Sequence, residues 1–168
     1  MIVHEGQRET EGCGDVEGIE AARQAGFDLV LLDMHTRSTP GSVAERWALL
    51  VLRTMKADHD PKTIATWAKW VGVSRSALCE YCRLIHVSAH DSRDFARLLR
   101  AIYQSGERWE PEAVLDFSDG RTLTRLLTRG GLRISERRAL TISEFLERQE
   151  FIVPTNPGLL ALRRWLRM

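Results

Sequence analysis

Residues 64–84 read IATWAKWVGVSRSALCEYCRL, and their spacing predicts two short helices joined by a tight turn. Ala68 stands where two helices must approach closely, Gly72 follows four residues later, and Leu78 six residues after that. A glycine between helical stretches supplies the positive φ that ends the first of them. Leu78 then plugs the groove between the helices, with Ile64, Trp67, Val71 and Val73 as the remaining apolar positions. Ser74 follows the turn as an N-cap, because its hydroxyl can accept a bond from an N–H that the next helix leaves unpaired. This is the pattern of a helix-turn-helix, whose second helix enters a DNA major groove. An ordinary pair of packed helices satisfies the same spacing.

The chain around this stretch has 168 residues, enough for one domain or one with a partial second. Its 43% hydrophobic content supports a real core. The longest apolar runs, such as Leu29 to Leu32, are far too short to span a membrane. The N-terminus MIVHEGQRET lacks the basic-then-apolar order of a signal peptide. Three cysteines, an odd number, do not suggest a disulfide framework. Together these features predict a cytoplasmic protein.

The net charge of +1 hides an asymmetry. Residues 1–33 carry two Arg against eight Asp and Glu, a balance of −6. Residues 62–104 carry seven Lys and Arg against three acids, or +4, and residues 121–168 carry ten Arg against four Glu, or +6. Basic segments are the footprint expected of a phosphate-backbone binder. Solvated helix faces leave the same trace.

Residues 1–16 are polar, without periodicity, and read as flexible. Gly18–Gly26 reads as a short helix, and FDLVLLDM at 27–34 as a buried strand by its continuous apolar run. A helix is predicted from Ser42 to about Ala57, with Val43, Trp47, Leu50, Val51 and Met55 on one face, broken by His59-Asp60-Pro61. Three helices follow through Tyr103, then shorter ones beyond Trp109. Leu140, Phe145, Leu146, Leu160 and Trp165 read as packing positions. No nucleophile–base pair, phosphate loop or metal triad is visible, so neither an enzyme nor a small-molecule substrate is expected, and no cofactor.

Residues 18–41, GIEAARQAGFDLVLLDMHTRSTPG, resemble the middle of a response-regulator receiver domain. There a helix leads into an apolar strand that ends at the phosphoacceptor aspartate. The resemblance implies Asp33 as that residue, with Gly41 eight positions later as in the family. Arg37 replaces the family's proline, and only seventeen residues precede Gly18. Glu11, Asp15 and Glu17 therefore have no strand before them to hold the Mg²⁺ that phosphoryl transfer needs. A truncated receiver is the outcome. A lone strand needs a neighbour, supplied by the helical part or by a second copy in a homodimer.

Residues from about Lys62 to Ala101 resemble the first helix-turn-helix of the AraC/XylS regulator family. Gly72-Val73-Ser74, Leu78 and Cys82 match its turn and apolar positions. His86-Val87-Ser88-Ala89 and Arg97-Leu98-Leu99-Arg100-Ala101 match its link and the long helix that follows. Asp116-Phe117-Ser118-Asp119 and Leu123-Thr124-Arg125-Leu126-Leu127 echo the family's second motif. There Asp116 replaces the turn glycine, leucines replace both aromatics, and Pro111 falls where the preceding helix should lie.

The expected fold is mainly α: a truncated α/β receiver-like segment at 1–41, a helix-turn-helix domain at 42–132, and a helical extension at 133–168. The expected partner is duplex DNA. The exposed early positions of the second helix are Arg75, Ser76, Cys79 and Glu80, behind the Ser74 cap. Arg75 can donate to guanine O6 and N7, and Glu80 can accept from cytosine N4. Lys69 and Arg83 suit phosphates, and Arg121 and Arg125 are the analogous residues of the second motif. Cys79, Cys82, His86 and His90 also form a C-x2-C-x3-H-x3-H series of zinc-binding composition. All four would lie along nearly continuous helix, and the helix-turn-helix explains each one separately. A signalling adaptor that uses the same helices for protein contacts, without DNA, is the alternative function.

Overall fold

Ser42 and Glu45 cap each other at the head of helix α1 (Val43–Met55). The Ser42 hydroxyl accepts the Glu45 N–H at 3.2 Å, and the Glu45 carboxylate accepts the Ser42 N–H at 3.2 Å. This capping box satisfies two donors that helix geometry leaves open. The computed structural model describes residues 41–105, 109–117, 119–133 and 140–167. Seven further helices follow α1 among them: α2 (Ile64–Val71), α3 (Arg75–Leu84), α4 (Ala89–Gln104), α5 (Pro111–Val114), α6 (Gly120–Arg129), α7 (Ile142–Arg148) and α8 (Pro157–Trp165). The fold is mainly α, as expected, with no strand among the described residues. The helix at 18–26, the strand at 27–34 and Asp33 lie outside them.

Helix α1 is central, touching α2, α3, α4 and α8. Trp47, Leu50, Val51 and Met55 are buried as the periodicity predicts, while Val43 is half-buried. Ala48, Leu52 and Thr54 are buried too, because neighbours cover more than one side of the helix. Trp47 and Trp67 are fully enclosed, and each indole N–H then requires a partner. Trp47 Nε1 donates to Ser92 Oγ on α4 at 3.1 Å. Trp67 Nε1 donates to Thr54 Oγ1 at 2.7 Å, and that hydroxyl donates to the Leu50 carbonyl at 2.8 Å. These bonds fix the rotation of α1 against α2 and α4.

The C-terminal helix corrects part of the sequence reading. Leu140, Phe145 and Leu146 are buried, but Leu160 is exposed and Trp165 only half-buried. Leu159, Ala161 and Leu162 carry the packing instead. The physical reason lies at the start of α8. Asn156 caps the helix by accepting the Gly158 N–H at 2.8 Å, and Gly158 lies flush against α1. A Cβ on Gly158 would stand 2.7 Å from Trp47 Cε3 and 2.9 Å from Ile85 Cδ1. With Gly158 pinned inward, Leu160 must face away.

The His59-Asp60-Pro61 break is more than a stop signal. Asp60 and Arg97 are both buried, and the guanidinium grips the carboxylate through Nε at 2.7 Å and through Nη2. The same carboxylate accepts the Asp116 N–H at 2.9 Å, and Arg97 stacks over the Phe117 ring at 4.3 Å. Beside it, Arg100 donates to the carbonyls of Ala57, Asp58 and Val114. Burial holds this guanidinium below the usual arginine range. Two arginines of α4 thus tie the α1–α2 loop to the segment that follows α5.

Candidate nucleic-acid interface

The geometry between α2 and α3 follows from three residues. The Thr63 hydroxyl starts α2 by accepting the Thr66 N–H at 3.0 Å. Gly72 ends it at φ 77°, ψ 32°. The Val73 N–H then reaches the Ala68 carbonyl at 3.0 Å and the Gly72 N–H the Lys69 carbonyl at 3.3 Å, the paired bonds of a Schellman termination. Ser74 is extended, and its hydroxyl accepts the Ala77 N–H at 3.1 Å to begin α3. Ala68 and Leu78 are both buried, as a close helix approach with an apolar plug requires. Arg53 of α1 donates to the Val71 carbonyl at 2.8 Å and steadies the end of α2.

Gly72→Val should cost roughly 1–3 kcal/mol, measured by thermal or denaturant unfolding. A Cβ at Gly72 would meet nothing closer than Arg53 Nη1 at 4.0 Å, so the loss comes from the positive φ and not from a clash. Gly72→Asn should recover most of it, since asparagine tolerates the left-handed region. Equal losses in both variants would refute the backbone explanation.

Of the residues singled out in the sequence, Lys69, Ser74, Arg75, Ser76, Glu80 and Arg83 are exposed on this unit and Cys79 is half-buried. Arg75 and Lys69 have no carboxylate partner among the described residues. Glu80 and Arg83 hold each other: Arg83 donates through Nε at 2.9 Å and through Nη2 at 2.6 Å. These bonds lower the Glu80 pKa and raise that of Arg83. Glu80 is therefore engaged before any base could reach it, and Arg75 is the free guanidinium of the helix start.

Arg121 and Arg125 lie apart from this unit, one turn from each other on the exposed side of α6. Asp119 caps that helix through the Thr122 N–H at 2.8 Å, which holds its carboxyl below the usual range. The helix before it, α5, is a single turn with Pro111 in its first position. A second motif built like the first lacks a full leading helix here. The loop that would form its turn is fastened instead, by the Asp60 carboxylate on the Asp116 N–H and by an ion pair between Lys62 and Asp116. Ser118 lies outside the described residues.

The cysteine and histidine series is divided between core and surface. Cys82 is buried, and burial pushes its thiol up while a hydrogen bond with Ser92 opposes this in part. His86 takes the left-handed position after α3 at φ 59°, and exposed His90 stands in the first turn of α4. No group of three or more His, Cys, Asp or Glu among the described residues is arranged to hold a metal ion. No helix among them is long and apolar enough to cross a membrane.

Comparison with protein-family models, curated proteins and solved structures finds no match to this chain.

Sequence reasoning missed Asn156. Its Nδ2 donates to the Ile85 carbonyl at 2.6 Å while its Oδ1 caps α8, so one side chain joins the end of α3 to the start of the last helix. The signal was present as Asn156-Pro157 ahead of an apolar run, the mark of a helix start. Its long-range partner, 71 residues away, left no trace in local spacing.

Proposed function

We propose that this chain is a transcription regulator that reads duplex DNA with α3. The observation that carries this is the free, exposed Arg75 immediately after the Ser74 cap, across the Gly72 turn from α2. A guanidinium at the first position of a groove-entering helix can pair with guanine O6 and N7. Ser76 and Cys79 accompany it along the same helix. Lys69 stands on the preceding helix, which crosses the backbone in such motifs and suits a phosphate. Arg121 and Arg125, four residues apart on one face of α6, repel each other unless an anion lies between them. They fit phosphate contacts that add affinity without sequence information. The basic balance of residues 62–104 and 121–168 supports the same partner.

Arg75→Ala should relax base preference at one position of the site, losing about 1–3 kcal/mol there. Lys69→Ala should weaken all sequences alike. Selection from random duplexes with the parent and each variant distinguishes the two roles. If Arg75→Ala keeps the parent's preference intact, α3 is not the reading helix.

A further inference from the structure

Four large hydrophobic side chains are exposed among the described residues: Trp70, Leu84, Val153 and Leu160. Three of them lie within four residues, along the chain, of the two ends of the Asn156–Ile85 bond. Leu84 adjoins Ile85, Val153 accepts the Asn156 N–H through its carbonyl at 3.0 Å, and Leu160 follows one turn into α8. Leu160 and Arg164 share a face of α8 at i, i+4, and exposed Arg167 lies past the end of that helix, in the left-handed region at φ 54°. Residues 151–167 carry three arginines and no carboxylate, and neither Arg164 nor Arg167 has a carboxylate partner among the described residues. Leu160 beside the unneutralised Arg164 on one helix face, with exposed Leu84 and Val153 near the same junction, is a mixed surface whose complement is apolar and acidic.

We infer that the junction of α3 and α8, with Leu84, Val153, Leu160 and Arg164, is a docking surface for an acidic amphipathic helix of a partner protein. Apolar residues of that helix at i, i+3 and i+4 cover the leucines and valine, and its flanking carboxylates meet Arg164 and Arg167. A second copy of this chain is a poorer occupant, because the same face would bring arginines against arginines. Leu84 lies about 14 Å from Arg75 along α3, at 1.5 Å per residue. A partner held there leaves the start of the helix open to DNA. The inference stands whether or not α3 binds DNA.

The test is a selection of displayed random peptides, roughly 16 residues long, enough for a four-turn helix, against the full chain. Enriched peptides should combine helical apolar spacing with an excess of Glu and Asp. Leu160→Ser and Arg164→Glu should each weaken a synthetic copy of an enriched peptide by about tenfold or more. Both positions are exposed, so the variants should melt like the parent. Failure to enrich peptides, enrichment without acidic bias, or unchanged binding to both variants would overturn the inference. So would a concentration-dependent dimer of the parent that Leu160→Ser abolishes, since the patch would then serve self-association.

Discussion

Asp60→Ala should lose roughly 3–5 kcal/mol of stability, because it leaves the buried Arg97 guanidinium without its countercharge. Both partners are almost fully enclosed, with side chains 2% and 5% exposed, so water cannot replace the lost carboxylate. The damage also spreads along the chain. The Asp60 carboxylate accepts the Asp116 N–H, so the segment after α5 loses its anchor together with Arg97. The pair itself is not the source of the stability, since desolvating two charges offsets much of their attraction. Replacing both partners with apolar residues, Asp60→Leu with Arg97→Met, should therefore be less damaging than Asp60→Ala alone. Urea unfolding of the parent and the two variants measures this. A single variant that unfolds with the parent would show that the pair is not buried in solution.

Leu78→Ala should cost about 2–5 kcal/mol, the range for removing a fully enclosed leucine and leaving a cavity. Leu78 is wholly buried on α3, which packs against α2, where Ala68 is buried too. The spread depends on how far the surroundings can collapse, and here both helices are held in place. Trp67 is locked by its bond to Thr54, and α3 is capped at both ends, by Ser74 and by Asn156. The loss should fall toward the upper part of the range. Denaturant unfolding reads it directly. A loss below about 1 kcal/mol would mean that the site closes up and that α3 is free to shift.

The parts of this fold that can be inferred from sequence are those governed by local chemistry. Ser42, Thr63, Ser74 and Ser88 cap helices because a hydroxyl there meets an unpaired N–H three residues on, and such caps leave a visible pattern. Gly72 and Leu78 are legible for the same reason. Asp60 reads locally as part of a helix stop, yet it is the hub of a buried charge network. Its partners lie 37 and 56 residues away, and nothing in the local pattern announces them. The buried face of α8 departs from the expected one because a periodicity of apolar residues does not say which side meets the core. Gly158 decides that by close approach to Trp47 and Ile85. At the candidate interface, exposure of Lys69, Arg75 and Ser76 follows from helix phase, whereas the Glu80–Arg83 pairing depends on side-chain conformations that spacing permits but does not require.

The most direct test of DNA recognition is the salt dependence of the full chain's binding to random duplex DNA, by fluorescence anisotropy. If Lys69, Arg121 and Arg125 each neutralise one phosphate, the log–log slope should be about −2.7, and each Ala substitution should reduce its magnitude by about 0.9. A slope near zero, or no binding at low salt, would contradict the assignment of α2, α3 and α6 to DNA.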